Sequence, residues 1–191
     1  MEKISNVSRK TMNRISDALL SEVSHKRLSE VKVNNIIATA AISRKTFYNH
    51  FDNINEVIDY TMKKVNDDLR MGDFFEVTDR DELIEKGLER LPDGIYNNRD
   101  EIEILYTSDL KGPWKDFLMQ QYGSLVDEVL FKDYTDKLLP KSTASNIFTF
   151  VLIALADDWV KQSVPVTPDV IRQQVLEILN TTPGDLLSKS M

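Results

Sequence analysis

The twenty residues from Lys32 to Phe51 read KVNNIIATAAISRKTFYNHF, and the fold of the chain turns on them. Val33, Ile36, Ile37 and Ala40 recur at helical spacing and share one apolar face. Ala41 and Ile42 leave room only for a tight turn, which Ile42 would plug. Ser43 then opens a second short helix, because its hydroxyl oxygen can accept from the amide of Lys45 or Thr46. That helix carries Arg44, Lys45, Thr46, Tyr48, Asn49 and His50 around one apolar anchor, Phe47, and Phe51 closes its end. The inventory suits the major groove of duplex DNA: Arg and Lys donate to guanine edges, Thr meets a thymine methyl, Asn reads adenine, and Tyr and His reach phosphate oxygens. The candidate DNA contacts are therefore Val33 and Asn34 on the first helix, with Ser43, Arg44, Lys45, Thr46, Tyr48, Asn49 and His50 at the second.

Charge is distributed in the same sense. The 191 residues carry a formal net charge of −7, which taken as a whole is unsuited to a polyanion. Up to Val65, however, 11 Lys and Arg stand against 7 Asp and Glu, and beyond it 13 stand against 24. A basic front end on an acidic body implies that the first third meets a polyanion while the acidic surplus keeps the body solvated.

Outward from this segment, helical periodicity dominates and strand-like alternation is hard to find. A helix from about Ser8 to Ser24 places Met12, Ile15, Leu19 and Val23 on one face, and another from about Ile54 to Leu69 carries Ile54, Val57, Ile58, Met62, Val65 and Leu69 as a stripe. Gly72 and Asp73 break the pattern. Further helices are expected over about 80–90, 99–108, 113–134, 142–163 and 168–180. Pro92-Asp93-Gly94 marks a turn or a kink, Lys111-Gly112-Pro113 a loop, Pro165 to Pro168 a break, and Thr182-Pro183-Gly184 a frayed tail.

Val33, Ile36, Ala40, Ile42, Ser43, Arg44, Thr46, Phe47, Tyr48, His50 and Phe51 together resemble the recurrent pattern of the tetracycline-repressor (TetR) family of bacterial transcription regulators, TV-x-x-I-x-x-x-AG(V/I)S-(R/K)-x-T-(F/L)-Y-x-HF. The motif covers about a third of the chain. The resemblance implies that the second helix of the chain crosses the DNA backbone and the third is the recognition helix, with Thr46, Tyr48 and His50 at positions that contact DNA. Three departures stand out. Ala41 replaces the usual turn glycine, which means either a backbone without positive φ or one strained by alanine. Lys45 stands where a small residue is common, and Asp52-Asn53-Ile54 stand where the family places a phosphate-facing lysine.

The helix over 142–163 is apolar nearly all round, through Ile147, Phe148, Phe150, Val151, Leu152, Ile153, Leu155, Ala156, Trp159 and Val160. Such a helix must be buried on every side. That predicts a two-fold four-helix dimer interface through Phe148, Val151, Leu152, Leu155, Trp159, Ile171, Val175 and Ile178; the alternative is the central helix of a monomer. Dimerisation also supplies two half-sites spaced by ~10 bp or its multiples. The resemblance implies a cavity for a small-molecule effector in the body, with Tyr96, Tyr106, Trp114, Phe117, Met119 and Tyr122 as candidate lining, although aromatics at helical spacing are more often simply core.

Other classes are disfavoured. The absence of cysteine removes disulfides, thiolate metal sites and thiol nucleophiles. Two histidines, His25 and His50, give no evident metal set, Asp67-Asp68 and Asp157-Asp158 diverge around a helix, and no phosphate-cradling loop or nucleophile elbow occurs. No catalytic residue, metal or cofactor is expected. The longest apolar run, Ile147 to Ala156, falls short of the ~20 residues a bilayer requires, and Met1 to Lys10 holds no apolar run of a signal peptide, so a cytoplasmic location without membrane contact is expected. The reading is an all-α chain with a helix-turn-helix domain over 1–53 (motif 32–51) and, joined to it by the fourth helix, a helical effector-binding and dimerisation domain over 54–191. Its expected role is a ligand-responsive repressor that binds a near-palindromic double-stranded operator as a homodimer. The alternative is an all-α interaction or small-molecule-binding protein that has lost operator affinity.

Overall fold

The computed structural model describes residues 6–69, 71–135 and 138–179. Among the described residues the regular elements are helices: α1 Asn6–Val23, α2 Val33–Thr39, α3 Arg44–Tyr48, α4 Ile54–Asp68, α5 Arg80–Asn97, α6 Arg99–Thr107, α7 Lys111–Leu125, α8 Lys141–Lys161 and α9 Pro168–Leu179. The expected tail at Thr182-Pro183-Gly184 lies outside the described residues.

Local chemistry sets most of the starts. The Asn53 side chain accepts from the Glu56 amide at 3.2 Å, and Glu56 in return accepts from the Asp52 amide at 2.8 Å, so the residues that replace the expected lysine cap α4. Asp79 caps α5 by accepting from the Glu82 amide at 2.9 Å, with Asp81 and Glu82 placed in the first turn, where the helix dipole favours negative charge.

Two boundaries differ from expectation. Helix α5 does not stop near Arg90 but runs through Pro92 to Asn97. Proline has no amide to offer the Leu88 carbonyl, which ought to break the helix. Here the Arg172 guanidinium, reaching over from α9, donates to Leu88 O at 2.8 Å and to Glu89 O at 3.1 Å, and pairs with the Asp93 carboxylate. A distant side chain thus replaces the missing bond. The second difference lies in α7, which was expected to be unbroken from Pro113 to Tyr134 but ends at Leu125 and passes into a π-helical turn over Val126–Leu130.

Packing joins the front end to the body. One apolar cluster takes in Ile15 and Leu19 of α1, Ile36 of α2, Phe47 of α3, Val57 and Val65 of α4, Ile102 and Leu105 of α6, Trp114 of α7, and Ile153 and Val160 of α8. Helix α4 sits within it. Its Lys64 ammonium bonds Glu101 of α6 at 2.8 Å and lies 3.6 Å from both Asp17 of α1 and Asp68. Burial opposes the charge on Lys64, but these carboxylates outweigh it and hold its pKa above the ordinary lysine value. At the far end of α4, a Cβ on Gly94 would come within 3.2 Å of the Leu69 side chain, so α5 approaches closely there because the residue is glycine.

Helix α8 is 21 residues long and, by length and composition alone, apolar enough to cross a membrane, a test that a core helix also passes. One side of it packs against α6 and α7, while Ile147, Phe150 and Val151 are exposed on the other. Its last carbonyls are held by Arg99 of α6, which donates to Val160 O at 2.9 and 3.1 Å and also to Gln162 O. Near the same end, Asp157 is buried among three ammonium groups, Lys161 at 2.7 Å, Lys111 at 3.0 Å and Lys115 at 3.1 Å.

Candidate functional site

The turn between α2 and α3 is closed by its own backbone. The Ile42 amide bonds Ile37 O at 3.2 Å and the Ala41 amide bonds Ala38 O at 3.1 Å, the pair of contacts that ends a helix when the next residue is left-handed. Ala41 has φ 49, which decides between the two readings of the missing glycine: the turn keeps its shape and alanine bears the strain. Arg14 of α1 donates to Ala40 O at 2.5 Å and to Ala41 O at 3.2 Å, tying the turn to the core helix behind it.

Ser43 caps α3 as its residue type suggested. Its hydroxyl accepts from the Thr46 amide at 2.9 Å and lies 2.8 Å from the Thr46 hydroxyl. Phe47 is fully buried and Phe51 nearly so, with ring centroids 6.1 Å apart, so the short helix hangs on an aromatic anchor and turns the rest of its surface outward. Ser43, Arg44, Lys45 and Asn49 are exposed, Tyr48 is 44% exposed, and Thr46 and His50 are half-buried. The Arg44 guanidinium lies 5.6 Å from the Tyr48 ring centroid, which holds the two side chains together on the outer face. His50 Nδ1 is 3.3 Å from the Ser8 hydroxyl and links the end of α3 to the start of α1. On α2, Asn34 is exposed, whereas Val33 is half-buried and packs against the core. Asp52, Asn53 and Glu56 are exposed beside this surface and give it an acidic margin.

In the body lies a cavity of about 260 Å³ bounded by α5 to α9 and the end of α4. Of the aromatics singled out in the sequence, Tyr106, Trp114 and Tyr122 line it. The other three do not. Tyr96 is 42% exposed and stacks on Trp159, Phe117 stacks on Trp114, and Met119 packs against the main core. The cavity takes instead residues assigned to the dimer face: Phe148, Leu152, Leu155, Trp159, Ile171 and Val175. Trp159 and Ile171 are buried within their own chain, and the Trp159 indole donates to Val166 O at 2.9 Å, which corrects their assignment. Val151 is exposed and Ile178 half-buried. Sequence reasoning missed the outward residues Ile147 and Phe150, which no periodicity distinguishes on a helix apolar all round, and Val170 and Leu176 on α9.

Two polar contacts tie the body to α4 and to the front end, the first buried and the second exposed. The Tyr122 hydroxyl donates to the Asn66 side chain of α4, and burial raises the Tyr122 pKa well above the ordinary tyrosine value. Asp109, after α6, accepts from the Leu28 amide at 2.9 Å.

No family model matches the sequence, and no curated protein does. Solved structures do. A TetR transcriptional regulator from Streptococcus agalactiae 2603V aligns at 20% identity over 91% of this chain and 95% of its own, with a TM-score of 0.62. A putative TetR-family regulator from Syntrophomonas wolfei aligns at 15% identity over 91% and 94%, with a TM-score of 0.66. The fatty acid degradation regulator FadR from Bacillus halodurans aligns at 19% identity over 88% and 94%, with a TM-score of 0.62. Nine helices in this order among the described residues, a strained turn before a Ser43-capped third helix, and these alignments lead to one conclusion: the chain has the fold of the TetR-family transcriptional regulators.

Proposed function

We propose that the protein is a DNA-binding transcription regulator of the TetR type, a ligand-responsive repressor that acts as a homodimer on a near-palindromic operator. The observation that carries this reading is the outer face of α3, where Arg44, Lys45, Tyr48 and Asn49 stand exposed around a buried Phe47. Arg44, Lys45 and Asn49 are the base-reading groups, Ser43, Tyr48 and His50 reach phosphate, Thr46 meets a base methyl, and Asn34 with Val33 supports the backbone contact from α2.

The dimer forms through the outward side of α8 and α9, where Ile147, Phe150, Val151 and Val170 are exposed apolar groups. The effector occupies the cavity. It would touch Leu69 at the end of α4 and Tyr122, whose hydroxyl is bonded to Asn66 of α4, so filling the cavity bears on the helix that joins the head to the body. Regulation follows if the ligand prefers one setting of α4 over another, since equal affinity for both would shift nothing.

Selection of bound duplexes from a random pool tests the reading. The expected result is a two-fold-related pair of half-sites, with log K falling against log[salt] by roughly 0.9 per phosphate contacted. Phe150→Glu is expected to give a monomer by sedimentation; a persistent dimer would place the interface elsewhere. Asp52-Asn53-Ile54, standing where a phosphate-facing lysine is usual, with exposed Asp52 followed by exposed Glu56 and Asp59, favour a second reading, an interaction protein without operator affinity. Salt-independent or absent DNA binding would select it.

A further inference from the structure

Among the described residues, none that lines the cavity is charged. An ionised ligand group enclosed there would lose its hydration with no partner to replace it. The size of the space sets a second limit: a dry apolar cavity of ~150 Å³ holds one benzene molecule, so about 260 Å³ admits roughly ten non-hydrogen atoms.

The polar atoms of the wall narrow the chemistry further. The Tyr122 hydroxyl is committed to Asn66, the Thr149 hydroxyl donates to Ser145 O at 2.9 Å, and the Trp159 indole donates to Val166 O. Gln174 is exposed at the mouth. The remaining donors are the Trp114 indole N–H and the Tyr106 hydroxyl, which sit side by side on the wall. Trp114 is 1% exposed, and its indole nitrogen has no hydrogen-bond partner of good geometry among the described residues. The Tyr106 hydroxyl is kept neutral because burial raises its pKa. A buried N–H without an acceptor is costly unless something supplies one.

We propose, resting on the reading of this cavity as the effector site, that its ligand is an uncharged, mostly hydrocarbon molecule of roughly ten non-hydrogen atoms carrying one hydrogen-bonding oxygen, a ketone, ester or alcohol in kind, which accepts from the Trp114 indole N–H. Hydrocarbon contact with the aliphatic wall supplies the bulk of the affinity, and the oxygen sets the orientation.

Calorimetric titration of the full chain with three probes tests this: butyrophenone, butylbenzene and phenylbutyrate, which share size and shape but differ in polar group. Butyrophenone is expected to bind saturably, butylbenzene about fivefold more weakly for want of one hydrogen bond, and ionised phenylbutyrate at least about tenfold more weakly. Trp114→Phe is expected to bring the ketone and the hydrocarbon to nearly equal affinity. Gly87 lines the cavity, and a Cβ built on it meets nothing within 4 Å, so Gly87→Leu should fill the space, keep or raise the melting temperature, and abolish binding of both. The proposal is overturned if phenylbutyrate binds as well as the ketone, if the ketone preference survives Trp114→Phe, if Gly87→Leu binds like the parent, or if the parent binds no probe. DNA affinity measured alongside separates this from the parent reading. A probe that binds as described without changing DNA affinity removes the effector role and leaves the cavity chemistry standing, whereas intact DNA binding with an empty cavity removes the chemistry alone.

Discussion

The turn between α2 and α3 and the cavity in the body are built in opposite ways. In the turn, Ser43 caps an amide three residues on, Ile42 bonds a carbonyl five residues back, and Phe47 anchors a helix that begins at Arg44. Its distant tie is Arg14 of α1. The cavity, by contrast, gathers side chains from Leu69 to Val175, and α5, one of its walls, stays helical past Pro92 only because Arg172 supplies donors from 84 residues away in sequence. The lesson is one of freedom. A helix pair made of short-range contacts keeps its shape while its outer side chains change, whereas a cavity made of long-range contacts changes its contents whenever any wall shifts.

Four substitutions probe that contrast. Phe47→Ala should have the largest effect, about 3–5 kcal/mol of stability, because it empties a fully buried site. Urea unfolding followed by two probes would show whether the loss is shared. A single transition is expected, since one apolar cluster runs through head and body, and two separated transitions would make the head an independent unit. Asp157→Asn acts in the body and should cost about 1–3 kcal/mol at neutral pH, because three ammonium groups lose their common partner. Burial works against its charge, yet Lys161, Lys111 and Lys115 hold the Asp157 carboxyl down to about 2 from 3.8. A lowered folded-state pKa gives stability that is complete above about pH 4 and lost as pH falls towards about 2, so the parent should weaken over that acid window and the variant should show a flatter curve.

Arg44→Ala confines its effect to the head. It should weaken specific DNA binding by about 1–3 kcal/mol while leaving the melting temperature and probe binding in the cavity unchanged. A large fall in melting temperature would mean that the Arg44 and Tyr48 contact supports the fold as well as the surface. The smallest effect is a gain. Ala41→Gly relieves an alanine at φ 49, and after allowing for the freer unfolded chain it should stabilise by about 0.5–1 kcal/mol, seen as a modest rise in melting temperature. No gain would show that Arg14, by holding the carbonyls of Ala40 and Ala41, already compensates the strain.

How far each region could be read from the chain follows from the same contrast. Ser43 as a cap, Phe47 as an anchor, the turn at Ala41 and Ile42, and the outward Arg44 and Tyr48 were all legible, since each depends on neighbours within a few positions. Position 41 itself was not, because alanine alone does not tell whether the turn imposes the strained positive φ or avoids it until the carbonyls around it are seen to be bound. In the body, Tyr106, Trp114 and Tyr122 meet at one cavity, but Tyr96 and Met119 share their residue character without sharing their place. The apolar surround of α8 announced burial on all sides and left open which side faced a cavity and which faced outward, so Trp159 was assigned to the interface although it stacks on Tyr96 inside its own chain.

By itself, then, the order of residues determined the helical class, the capped third helix and the chemical inventory of its outer face, because propensity, capping and periodicity act over a turn or two of chain. Only the tertiary structure decided that α5 would survive Pro92, that α8 would split its apolar residues between a cavity and an outer face, and that the Trp114 indole would be buried on the cavity wall beside the Tyr106 hydroxyl. Those outcomes depend on which distant groups arrive as neighbours, and burial is a property of the assembled surfaces, not of any segment alone.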